Sequence, residues 1–307
     1  MAISEHEKLF FGLKVFDYVP NRPLPKAGVP RTHTGEYRSS EYLDAKETFA
    51  SLRADKLASK LPAIVVGPYA TAWDADARDV LKELTSAASK KTFTSLRAVF
   101  LGDITCEEQE ISWINVGNPG KILDAYPDLE CLRVRGTAKF TFKCAPHSAL
   151  KSLTIESGGL NKKVVKGVLS SSFASLESLE LWLGRDDYGA DHRIDDLMPL
   201  LSGRLFPKLK HLGLRNCEYT DEIASAIADA PILKQLRSLD LSMGTLGDAG
   251  ANVLLASPLF AKLESVDLSH HYMSSAVVKK IMKAGPKMLA KDLRTEEEGA
   301  RYTQVGE

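Results

Sequence analysis

Paired cysteine is missing from this sequence. Its 307 residues include four cysteines, Cys106, Cys131, Cys144 and Cys217. They form no CxxC pair and show no metal-ligand spacing, so neither a disulfide framework nor a zinc site is expected. Also missing are GxGxxG, a Walker loop, GxSxG and HExxH, which removes the usual sequence support for nucleotide binding, serine hydrolysis and zinc hydrolysis. Excess charge of either sign is lacking too, with 40 basic against 40 acidic side chains. Bulk attraction to nucleic acid or an anionic membrane is therefore not expected. No apolar run approaches the ~20 residues of a spanning helix. The opening MAISEHEKLFFGLKVF carries acids and lacks a basic start, which argues against a signal peptide. Cytoplasmic residence is the expectation these absences share.

What is present is a repeat. Leu-x-x-Leu-x-Leu occurs at Leu209, Leu212, Leu214 and again at Leu236, Leu239, Leu241. Leu263, Val266 and Leu268 follow, each copy 27 residues after the last. A fixed period headed by an apolar triplet marks a leucine-rich repeat. Alternation within the triplet predicts a short strand with one buried face, and the stretches opening at Asp221 and Asp248 predict helices between strands. Those aspartates are expected to accept hydrogen bonds in the first turns of their own helices. The fold class expected is α/β: a leucine-rich-repeat solenoid, or horseshoe, with parallel strands on the concave face and mostly helices on the convex face. No single repeat buries its own triplet, so neighbours must stack.

Earlier triplets begin at Leu61, Leu96, Leu129, Leu150 and Leu176. The expected organisation is an N-terminal cap over residues 1–57, eight repeats over 58–284, and a C-terminal cap with a polar tail over 285–307. GPKMLAKDL is expected to supply a last edge strand. Between Leu129 and Leu150 the spacing is too short for a helix, and KFTFK predicts an extended outer segment.

FLGDITCEEQEISWI (100–114), LWLGRDDYG (181–189), LGLRNCEYTDEIA (212–224), LDLSMGTLGDAGA (239–251) and the closing RYTQVGE carry a resemblance. Together with Gly12 to Tyr18 they are similar to an uncharacterised bacterial leucine-rich-repeat family of about this length. That resemblance implies a ribonuclease-inhibitor-like repeat fold and cytoplasmic residence. It also implies an accessory role beside radical-chemistry and ligase-like enzymes of the same gene cluster. It supplies no catalytic residue. The Asn or Cys expected at the ninth repeat position is met only by Cys217.

Register predicts the concave surface, because equal positions of adjacent repeats form ladders ~4.8 Å apart. The third position is a floor of small side chains interrupted by His211. The fifth and seventh positions place Arg133, Arg135, Glu156, Glu180, Trp182 and Arg215 above it. Trp182 is expected to be exposed with an arginine against its ring, the composition of an interface hot spot. Loops 67–74, 102–120 and 184–193 are expected to form an aromatic, acidic lip. It would carry Tyr69, Trp73, Trp113 and Tyr188, with Asp103, Glu107, Glu108 and Glu110.

The function these features favour is a non-enzymatic protein-interaction module. Its partner would be a protein or peptide held by Arg133, Arg135, Glu156, Glu180, Trp182, Arg215, Trp113 and Tyr188, the arginines favouring an acidic segment. No cofactor, metal, nucleic acid or membrane is expected. The alternative is a metal-binding or hydrolytic enzyme using acidic and His residues at the loop rim, or Asp240, Asp267, His211, His270 and His271. Asp240 and Asp267 are expected to face each other, with the three histidines close by register, a set of oxygen and imidazole ligands.

Overall fold

A computed structural model describes residues 3–34, 43–69, 76–284 and 287–306. The chain adopts the α/β leucine-rich-repeat architecture. Two compact units divide it, the first spanning Ile3–Ile155 with Ser171–Phe173, the second Glu156–Ser170 with Ala174–Glu307.

In the first unit the strands are β1 (Leu9–Phe10), β2 (Leu13–Asp17), β3 (Val29–Thr32), β4 (Ala63–Val66), β5 (Ala98–Leu101), β6 (Cys131–Arg135) and β7 (Ser152–Glu156), paired in chain order. β1 and β2 form an antiparallel hairpin. The two residues of its turn, Phe11 and Gly12, have φ of 51° and 74°. Such a turn matches the twist of the flanking strands, and glycine takes this backbone without strain. From β2 onward the described pairings are parallel, Val15 opposite Val29 and Arg31 opposite Val65. The segment expected as a cap thus adds two parallel strands to the ladder, the first overlapping the strand-like KVFDYV, and the antiparallel β1 stands at the edge.

Helices α1 (Ala45–Ala54), α2 (Arg78–Leu84), α3 (Ala87–Thr92) and α4 (Gly120–Ala125) link these strands. Asp44 caps α1 by accepting from Glu47 N–H at 2.7 Å, and Glu47 returns the bond in a capping box. Phe49 and Leu52 on the inner face of α1 are fully buried. Between β6 and β7 the chain runs as the extended segment expected, with Phe140 and Phe142 buried.

The second unit contains β8 (Ser178–Gly184), β9 (His211–Cys217), β10 (Ser238–Asp240), β11 (Ser265–Asp267) and β12 (Lys287–Leu289), again in chain order and parallel. β12 is the edge strand expected of GPKMLAKDL. Its helices are α5 (Lys162–Leu169), α6 (Ile194–Leu201), α7 (Thr220–Ile227), α8 (Asp248–Ala256) and α9 (Ser275–Ile281). Leu209, Leu212, Leu214, Leu239, Leu241, Leu263, Val266 and Leu268 are all buried. Each such side chain contributes roughly 1.5–3 kcal/mol of hydrophobic stabilisation.

The aspartates at the helix starts act differently from expectation. Asp221 Oδ1 accepts from Gly247 N–H at 2.8 Å and Gly250 N–H at 3.1 Å, at the start of α8. Asp248 accepts from Ser274 N–H at 2.6 Å, at the N-cap of α9. Sitting in the first turns of α7 and α8, each carboxylate reaches the neighbouring repeat and ties one repeat of the solenoid to the next. Near the end of β9 and after β10 and β11 the chain takes a left-handed step at Asn216, Met243 and His270, with φ of 54°, 67° and 60°. The three lie 27 residues apart, so the left-handed turn is itself a repeat feature. Asn and His are among the non-glycine residues that take it most readily, whereas Met holds it against its preference.

Candidate functional site

The strand face of the second unit carries a connected polar row. His211 on β9 meets Ser238 Oγ through Nδ1 at 2.8 Å and Glu180 Oε1 through Nε2 at 3.0 Å. Arg215 donates to Glu180 at 3.3 Å and to Ser242 Oγ at 3.1 Å, and lies 3.3 Å from Asp240 Oδ2. Its guanidinium also covers the Trp182 ring, 5.2 Å from the centroid. Glu180, His211, Arg215, Ser238, Asp240 and Asp267 are all half-exposed. Burial works to raise the Glu180 pKa, but His211 and Arg215 outweigh it and hold the carboxyl below its usual range. For Asp240 the balance reverses: burial pushes its pKa up despite the pull of Arg215.

Asp240 and Asp267 face each other across β10 and β11, as the register requires. Asp240 accepts from Ser242 N–H at 2.8 Å, and Asp267 from Ser269 N–H at 2.8 Å. Asp267 has no cationic partner among the described residues. Between β8 and β11 the face therefore presents three carboxylates, Glu180, Asp240 and Asp267, around the single guanidinium of Arg215. This sign is opposite to the one expected from the arginines of the sequence, because Arg215 is shared by two of those acids.

Ser238, His211 and Glu180 have the connectivity of a proton relay. Acyl transfer also needs N–H donors for an oxyanion beside the serine, and the Ser238 N–H is committed to Lys210 C=O at 3.1 Å. His211 lies opposite Ser238, which lies opposite Ser265, five residues before His270. The register thus separates His211 from His270 and His271, which are buried in the turn beyond β11. Among the described residues no group of three or more His, Cys, Asp or Glu is placed to hold a metal ion.

Several expected contact residues are placed otherwise. Trp182 is 7% exposed, so it is a packed side chain and not a presented one. Arg135 and Glu156 are buried at 2% and 1%. In the first unit the third- and fifth-position side chains Ala63, Val65, Ala98 and Phe100 form an apolar cluster with Phe10 and Val29, and Leu13 and Val15 pack on it. The N-terminal hairpin thereby covers the ladder there. Arg133 lies 4.5 Å from the Phe100 centroid and pairs with Glu7 at 2.7 Å. Arg135 donates to Ile104 C=O at 3.0 Å and lies 3.6 Å from Asp103.

Asp103 and Glu108 of the expected acidic lip are likewise consumed within their own unit, whereas Glu107 and Glu110 are exposed. Asp103 is fully buried, accepts from Glu7 N–H at 3.2 Å, and has Arg31 Nε 2.9 Å away. That arginine contact is a charge contact only, because neither atom has a hydrogen-bond partner. Glu108 meets His6 at 3.1 Å and accepts from Thr105 N–H and Oγ1 at 3.0 and 3.1 Å. Asp103 and Glu108 together raise the His6 pKa to about 9. Burial opposes ionisation of Glu108, yet His6 and Thr105 bring its pKa down to about 2. His6, Glu7 and Arg31 carried no sequence signal of this role.

The four lip aromatics each fare differently. Trp113 is 57% exposed, Tyr69 is buried and donates to Asn115 C=O at 3.2 Å, and Trp73 lies outside the described residues. Tyr188 is half-buried, its ring packed against Gly306.

No protein-family model matches the chain, and no curated protein matches it. The crystal structure of a Bacteroides fragilis protein determined by a structural-genomics consortium does. The two are 32% identical, with a TM-score of 0.77, over 84% of this chain and 72% of that one. The chain belongs to the same family as that protein. Similarity at this level accounts for the shared repeat fold and assigns no activity to either.

Proposed function

We propose that the protein is a non-enzymatic interaction module that holds an extended, basic segment of a protein partner on the strand face of its second unit. The observation that supports this most is Asp267. It is a half-exposed carboxylate with no cation beside it among the described residues, set directly opposite Asp240, whose cationic partner Arg215 is already shared with Glu180. A lysine or arginine entering here would relieve the repulsion of like charges across a strand pair and add a charge-assisted hydrogen bond. His211 and Arg215 would fix the partner's polar groups further along the row. Strand-borne side chains suit this role because neighbours lock their positions.

Arg133, Arg135, Glu156 and Trp182 leave the proposed contact set, since intramolecular contacts or burial occupy them. Glu180 and Arg215 stay in it. Cytoplasmic residence is part of the same reading. It is supported by four free cysteines and by the absence of any helix long and apolar enough to cross a membrane among the described residues. The resemblance to the bacterial leucine-rich-repeat family supports a partner among the enzymes of its gene cluster.

Selection of a random peptide library on the purified protein tests the reading. Enrichment of Lys and Arg is expected, and so is loss of binding to the Asp240→Lys, Asp267→Lys double variant. Acidic winners, or winners indifferent to that variant, would refute it.

A further inference from the structure

Residues 301–306 are held in the second unit as an extended peptide in a groove. The groove is formed by the end of β9 and the turns that follow β10 and β11. Asn216, fully buried, uses both ends of its amide on one residue: Oδ1 accepts from Val305 N–H at 2.9 Å and Nδ2 donates to Val305 C=O at 2.6 Å. Met243 C=O accepts from Gln304 N–H at 2.9 Å. Tyr272 Oη accepts from Tyr302 N–H at 2.8 Å and donates to Tyr302 C=O at 3.0 Å. Every one of these bonds is to main chain, so any extended segment can make them. This is the logic of peptide recognition, in which the backbone supplies binding and alternate side chains supply selectivity.

Selectivity sits at four positions. Arg301 donates to Asp221 Oδ2 at 3.1 Å and Thr245 C=O at 3.2 Å. The Tyr302 ring stacks under Arg185, 4.8 Å from its guanidinium carbon. Val305 is 3% exposed. A Cβ at position 306 would come within 2.5 Å of the Tyr188 ring, so any residue larger than glycine there must displace that ring. Thr303 and Gln304, between them, are only half-buried. The pattern read is Arg-aromatic-x-x-aliphatic-Gly.

The groove is pre-organised by the fold and not by its occupant. Asn216 and Met243 take their left-handed turns as part of the 27-residue repeat, and the Asp221 carboxylate is fixed by Gly247 and Gly250. By contrast 301–306 belongs to no helix or strand, and it holds its place through one buried side chain and hydrogen bonds. We infer that this groove is a recognition site for an extended Arg-aromatic-x-x-aliphatic-Gly segment of a partner protein, and that 301–306 is its competing ligand in cis. The site is separate from the acidic strand face and does not depend on it. A tethered ligand has an effective concentration in the millimolar range, so a partner segment must either bind more tightly or engage a second surface as well.

The test uses the full chain and a fluorescein-labelled peptide of residues 299–306 (GARYTQVG). Val305→Asp puts a carboxylate into the buried aliphatic position and evicts the cis segment. The peptide should bind this variant at least about tenfold more tightly than the wild-type chain in fluorescence anisotropy. Adding Asn216→Ala should abolish the gain, and a peptide with Arg301→Glu should not bind. Equal, weak binding to wild type and a folded Val305→Asp would overturn the proposal. Should Val305→Asp fail to fold, Arg301→Ala with Tyr302→Ala releases the segment through half-exposed side chains, and the same comparison applies. Failure of both variants to fold would make 301–306 a structural wall, which also overturns it. A wild-type dimer that exchanges the segment between copies would overturn the assignment to a separate partner.

Discussion

The guanidinium of Arg215 lies over the ring of Trp182, 5.2 Å from its centroid, and the ring beneath is almost wholly buried. The pair is therefore an internal contact that orients Arg215 toward Glu180 and Asp240, and its energetic role is in the fold. Trp182 Nε1 meets no acceptor among the described residues. Trp182→Ala should cost about 3–5 kcal/mol of stability, through lost burial and a cavity. Trp182→Phe should cost far less, because it keeps most of the ring and removes an unsatisfied donor. Urea unfolding of both variants checks this. A loss for Trp182→Phe of more than about 2 kcal/mol would show that the indole N–H has an acceptor.

The register itself is open to a harsher test. Leu239 is 1% exposed at the centre of the 27-residue repeats. Leu239→Asp strands a carboxylate without a partner in that core, and each repeat rests on its neighbours, so several should melt together. Far-UV circular dichroism should show a large fall in melting temperature. An unchanged curve would contradict the inward assignment of the triplet.

Docking of the N-terminal arm should depend on pH from both sides. Asp103, Glu108, Arg31 and His33 surround His6, and the two carboxylates raise its pKa from 6.5 to about 9. Its stabilisation is complete below pH 6.5 and is lost as pH rises through about 9. Glu108, lowered from 4.5 to about 2, contributes fully above pH 4.5 and loses its contribution as pH falls toward 2. The difference in melting temperature between wild type and His6→Gln should be largest between pH 4.5 and 6.5. A difference that stays constant up to pH 10 would show that His6 is not charged by these acids.

The triplets were legible because each is local and recurs: Leu209, Leu236 and Leu263 announce themselves by spacing alone. β3 was hidden since Val29–Thr32 contains Pro30 and lies in a stretch rich in turn residues, with its role set by pairing to β4. Trp182 was misplaced because register gives the direction of a side chain and not what lies over it. The sign of the face was misread for the same reason. Arg133 is taken by Glu7, and Arg215 by Glu180 and Asp240, contacts that span 126, 35 and 25 residues of sequence. The lodging of Val305 on Asn216 crosses 89 residues and depends on a backbone turn that no pattern of side chains signals.

The central claim is that the strand face of the second unit takes a basic segment at Asp240 and Asp267. Isothermal titration of a library-selected basic peptide tests it most directly, against wild type, Asp240→Asn with Asp267→Asn, and the outer-helix control Lys279→Ala. The double variant should weaken binding by about 2 kcal/mol or more, and the wild-type affinity should fall as salt is raised. The control should bind like wild type. Unchanged affinity in the double variant, or a loss in Lys279→Ala alone, would contradict the account.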